Sequence, residues 1–137
     1  MSAADASERT IKEYEKRIRN DKRLVALENK VKEDTARYSD ARKMAEISGK
    51  IAAQCLAAQI RQEYPEGQIT EPDARILLNG ILHRNYRYVT EVTERIQNTL
   101  NQKVGLGLKA IVPEFDKDRE SGLIKELSRR SMEDGFS

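Results

Sequence analysis

Gly105 and Gly107 form a G-x-G. In a nucleotide-binding loop, such glycines let backbone amides approach a phosphate. Here the third glycine is missing and the motif follows a helical pattern, so a helix stop leading into an extended connector accounts for it better. Lys109 makes no P-loop, because the context that places a glycine directly before the lysine and a hydroxyl after it is absent. Asp116, Asp118 and Glu120 crowd three carboxylates together, yet a calcium loop needs a central glycine and a wider ligand spacing, and Arg119 interrupts them. Acids in the first turn of a helix are favoured by the helix dipole, which is the simpler role. The run His83-Arg84-Asn85-Tyr86-Arg87-Tyr88 interleaves bases with aromatics, as a nucleic-acid surface can, but a solvated helix flank explains it more simply. Arg17, Arg19, Lys22 and Arg23 are a second basic group, largely neutralised by Asp21 and nearby glutamates. Cys55 reads as a small buried apolar residue. With His83 the single histidine, no triad or H-E-x-x-H site can be assembled.

These residues must be carried by elements that the composition restricts. Leu, Ile, Val and Phe supply 30 of 137 residues against 35% charged, and the net charge is +2. An apolar share near 22% sits just above the level of roughly 20% below which highly charged chains stay disordered, and so small a net charge does not oppose folding. A deep apolar pocket needs more core than this, so a self-contained enzyme is disfavoured and no cofactor or metal is expected. The longest uncharged stretch, Ile51 to Ile60, falls far short of the ~20 residues of a membrane helix, so no membrane partner is expected. MSAADASERT lacks the basic and apolar regions of a secretory signal, and one cysteine forms no internal disulfide.

Periodicity predicts an all-α, elongated domain of about four helices, one of them long, with a Gly/Pro-rich connector of strand-like alternation. Residues 1–7 are expected to fray. Residues 8–32 read as one charged helix with a thin stripe, Ile11, Tyr14, Ile18 and Val25, and a slightly rotated second one, Leu24, Leu27 and Val31. A stripe that thin packs on the rest of the chain or docks on another chain, and we expected docking. The predicted partner-binding residues are Ile11, Tyr14, Ile18 and Val25 with Arg17, Arg19, Lys22 and Arg23. A break over 34–38 precedes a helix capped by Ser39 or Asp40 and running to about Tyr64. Its inner face is Met44, Ile47, Ile51, Cys55 and Ala58, and its low charge places it centrally. Pro65-Glu66-Gly67 ends it. Thr70-Glu71-Pro72-Asp73 starts the long helix. Its seam is Leu78, Leu82, Asn85, Val89, Val92, Ile96 and Thr99, widened by Leu77, Ile81 and Leu100. Roughly 30 residues make about 45 Å of helix, more than a compact domain of this size spans. Asn85 in the seam costs stability but can fix register or partner. A last helix starts at Asp116 or Asp118, with Leu123, Ile124 and Leu127 inward. The divisions are 1–34, a charged partner-docking helix; 35–104, the helical core; and 105–137, connector, short helix and polar tail.

Two stretches of text are distinctive. The first is Leu27-Glu28-Asn29-Lys30-Val31, then Tyr38-Ser39-Asp40-Ala41 and Gly49-Lys50-Ile51-Ala52. The second runs through Asn85-Tyr86, Val89, Val92-Thr93-Glu94, Gln97 and Leu100-Asn101 to GLGLKAIVPEFDKDRESGLIKEL over 105–127. In this order they resemble the N-terminal part of the minor capsid (minor head) proteins of tailed bacteriophages and prophages. The resemblance spans about Leu27 to Leu127 and implies a low-copy structural protein of the phage head near the portal vertex. The expected role is head morphogenesis or genome delivery, in the virion after assembly in the bacterial cytoplasm. Portal or capsid protein is the expected partner, and a homo-oligomer in the virion is compatible with it. Family members usually continue into a segment with paired cysteines and a basic, histidine-containing motif, which these 137 residues do not hold. No catalytic residue is implied. The alternative expectation, less favoured, is a DNA-contacting packaging or ejection accessory using Arg17, Arg19, Lys22, Arg23, Arg84 and Arg87.

Overall fold

In a computed structural model of the chain, residues 2–104 are described, and they form four α-helices with no strand among them: α1 (Ala3–Asn20), α2 (Lys22–Lys32), α3 (Tyr38–Glu63) and α4 (Glu71–Val104). The all-helical expectation holds, including the long helix: 34 residues of α4 make about 51 Å. The connector at 105–112 and the last predicted helix lie outside the described residues.

The first helix starts earlier than the composition suggests. Ser2 caps it, its Oγ accepting from Asp5 N–H at 3.2 Å. Ala3, Ala6 and Ser7, expected to fray, are buried. They are small, and that is why they fit: at Gly80 of α4 an added Cβ would collide with Ser7 Oγ, so the two backbones cross closely there.

The predicted single helix over 8–32 is two helices. Asp21 leaves helical geometry (φ −71°, ψ 119°), and its carboxylate accepts from the backbone N–H of Arg23 (2.9 Å) and Leu24 (3.1 Å). It thereby satisfies two of the donors that a helix start leaves free. Burial is the largest single influence on the Asp21 carboxyl and raises its pKa, but the bonds from Arg23 and Leu24 and the Arg23 charge together outweigh it and hold the carboxyl below its usual value. The rotated second stripe was the trace of this break: Ile11, Tyr14 and Ile18 belong to α1, Leu24, Leu27 and Val31 to α2, and Val25 is left out at 39% exposed.

Asp34 (φ +59°) makes the next turn. The cap of α3 corrects the expectation. Arg37 is the cap position, and Asp40 acts from inside the first turn, accepting from Arg37 N–H at 2.9 Å and pairing with Lys30 of α2 at 3.5 Å. Helix α3 is central as expected, packed by α1, α2 and α4, and its buried Ala41, Ala45, Ala52, Ala53 and Ala57 allow close approach. Ala58, expected inside, is exposed. Pro65–Gly67 ends α3 in a 3-10 turn with positive φ at Glu66 and Gly67. Thr70 starts α4 as predicted, its hydroxyl accepting from Asp73 N–H at 3.4 Å.

The core seam of α4 is rotated from the predicted one. Leu77, Ile81, Asn85, Tyr88, Val92 and Ile96 are buried, whereas Leu78, Leu82 and Val89 are half-buried at its edge. The final turn of α4 is tied to the turn after α2. Lys103 Nζ donates to the Asp34 carbonyl, and Thr99 Oγ1 donates to the Asp34 carboxylate at 3.2 Å.

Candidate functional site: a buried polar lock and a basic groove

Polar chemistry inside the bundle gathers where α1, α3 and α4 meet. Tyr14 and Asn85 are fully buried, and Asn85 Nδ2 donates to the Tyr14 hydroxyl at 2.7 Å across 71 residues of sequence. The buried Ser48 hydroxyl of α3 donates to the Ala45 carbonyl of its own helix at 3.3 Å. The Arg84 guanidinium lies over the Tyr14 ring, 5.8 Å from its centroid, and its Nε pairs with Glu15 at 3.6 Å. Burial pushes the Tyr14 hydroxyl up to about 12, against the opposing pull of Asn85 and Arg84. A second tyrosine works the same way, since the buried Tyr88 donates its hydroxyl to Glu28 of α2 at 2.8 Å. Burial first, then that carboxylate, raises its pKa. A group held neutral and hydrogen-bonded suits positioning rather than proton transfer near neutrality. Asn85 lies in the seam as the spacing suggested, and its hydrogen bond ties α4 to α1. The pairing with Tyr14 was not legible, because it joins two distant helices.

Cys55 is buried as expected, with its thiol pKa raised by burial and its sulfur 3.7 Å from an Arg17 guanidinium nitrogen that offsets part of that rise.

The predicted partner-binding residues do not share a face, which overturns the reading of α1 as an open docking helix. Tyr14 and Ile18 are in the chain's own core, and Ile11 is half-buried over the Gly80 crossing. Arg17 is held by Gln54 at 2.7 Å, and Arg23 pairs with Asp21 at 3.2 Å. Val25, Arg19 and Lys22 are exposed. The physical reason is economy of apolar material: a chain this polar uses its thin stripe to close its own core. The alternative DNA-contacting set is dispersed over three helices, Arg17 and Arg19 on α1, Lys22 and Arg23 on α2, Arg84 and Arg87 on α4, with Arg17 held by Gln54 and Arg84 by Glu15.

The outer surface offers instead a groove of about 370 Å³ between α2 and α3. Leu27 and Ile47 contribute apolar surface, and Arg23, Lys43, Glu46 and Lys50 complete the lining. The sequence had placed Ile47 on the inner face of α3; it is half-buried and opens onto this groove. Among the described residues no three His, Cys, Asp or Glu side chains come together as a metal-holding group. No described helix is long and apolar enough to cross a membrane. No protein-family model matches the chain, and searches of curated proteins and of solved structures find no significant match.

Proposed function

We propose that the chain is a structural, non-enzymatic component of a tailed-phage head, a minor capsid protein that acts in head assembly or genome delivery by docking on portal or capsid protein. The observation that carries this reading is the ordered resemblance over Leu27–Leu127, above all the run from Gly105 to Leu127. The bundle adds support of a general kind. Its polar groups lock helices to one another, which gives a rigid body for a partner to dock on. Docking in this reading uses surfaces of the folded bundle, because the stripe of α1 is already occupied. Charged rims would select the partner and its orientation, and buried apolar area would supply affinity at roughly 25 cal/mol per Å². The working location is the virion, reached by assembly in the bacterial cytoplasm. Mass spectrometry of purified particles from the source prophage tests it. The expected result is the chain present at low copy with portal or capsid peptides in its cross-links; particles complete without it would overturn the proposal.

A further inference from the structure

The groove between α2 and α3 differs from the rest of the charged surface in two ways. First, its charge is not balanced locally. Lys43 and Lys50 are exposed and form no ion pair among the described residues, two cations against the single Glu46, while the neighbouring Arg23 is already paired with Asp21 at 3.2 Å. Second, the half-buried Ile47 gives it apolar surface that the core does not fully cover, beside the buried Leu27. The break at Asp21 and the shortness of α2, 11 residues against the 26 of α3, leave this side of α3 only partly roofed.

We infer that this groove receives an acidic amphipathic helix of another protein chain, its apolar face on Ile47 and its carboxylates on Lys43 and Lys50. The spacing argues for a helix. Lys43 and Lys50 stand seven residues apart on one face of α3, about 10 Å or two turns, which matches carboxylates two turns apart on a helix lying alongside. The half-buried Ile47 and Glu46 between the lysines argue against a phosphate backbone, which has nothing to place on Ile47 and would be repelled by Glu46. The inference deepens the docking reading above and rests on it for the partner being a protein.

The test is fluorescence anisotropy on the intact chain. The probe is a labelled synthetic helix of about 15 residues, with Glu at positions one and eight and Leu on the face between them. Binding is expected to weaken with added salt and to fall at least about tenfold in Lys43→Glu/Lys50→Glu, with the thermal melt unchanged because both side chains are exposed. A peptide with Lys in place of Glu should bind the native chain poorly and the double variant well. Ile47→Ser should weaken the acidic peptide without altering its salt dependence. Absence of binding, or equal binding of both peptides, overturns the inference. So does tighter binding of a DNA duplex that the double variant loses, which assigns the groove to nucleic acid. Self-association abolished by the double variant overturns it too, by making the occupant a second copy. Peptide binding does not depend on finding the chain in particles, so failure of the phage-head reading and failure of this one are separate results.

Discussion

Tyr14 and Asn85 are a matched pair, and each is costly without the other. Tyr14→Phe keeps the ring but leaves the buried Asn85 amide without its acceptor, so denaturant melts should show a loss of about 1–3 kcal/mol. Tyr14→Phe/Asn85→Leu, which removes both polar ends, should cost less than the sum of the single changes; strict additivity would deny the coupling. The same tyrosine sets an alkaline limit. Its folded pKa of about 12 lies above the ordinary value of 10, so the native state holds its proton more tightly than the unfolded chain does. The associated stability is therefore complete below pH 10 and is lost as pH rises from 10 toward 12, and Tyr88, also raised, adds to the fall. Melts at stepwise increasing pH should show a decline on the order of 1 kcal/mol per pH unit for each hydroxyl. Tyr14→Phe should shallow that decline, and an unchanged slope would mean that Tyr14 is not the group responsible.

Helix starts carry the next level of information, and they were unevenly legible. Thr70 to Asp73 announced α4 through cap, proline and acid together, and Pro65 to Gly67 announced the end of α3. Asp21 announced nothing by composition, because an aspartate in a run of charges is common. Only the offset between two apolar stripes recorded the break. Asp21→Ala should therefore cost about 1 kcal/mol, read by thermal melt, through loss of the α2 cap. The seam of α4 was misplaced for a related reason. Its apolar band is wide, and which edge faces inward depends on α1, whose burial no local pattern revealed. Gly80 reports that crossing directly. Gly80→Ala in a Ser7→Ala background should stabilise by up to about 1 kcal/mol through helix propensity, because only ordinary contacts then remain near the new methyl group. With Ser7 present the gain should shrink or reverse, and identical effects in the two backgrounds would show that the helices do not cross as closely as described. The basic groove was not read at all. Lys43 and Lys50 are ordinary helix-surface residues until α2 leaves the side beside them open.

Taken as one body, the described residues fold around α3 with α1 as a structural member, not an arm awaiting a partner. Hydrogen exchange on the isolated monomer should accordingly protect the central amides of α1 to a degree comparable with those of α3 and α4. Rapid exchange throughout α1 would restore the open-helix expectation. Arg9 of α1 also pairs with Glu63 at the far end of α3, 3.0 Å apart, which adds a rim contact to the same arrangement. The sequence separation of 71 between Tyr14 and Asn85 has a consequence for biosynthesis. The first helix leaves the ribosome long before its neighbour has been translated, a delay of roughly 4–14 s at ordinary elongation rates. During that interval its greasy side has nothing of its own to cover it, which leaves it open to chaperones until the long helix arrives.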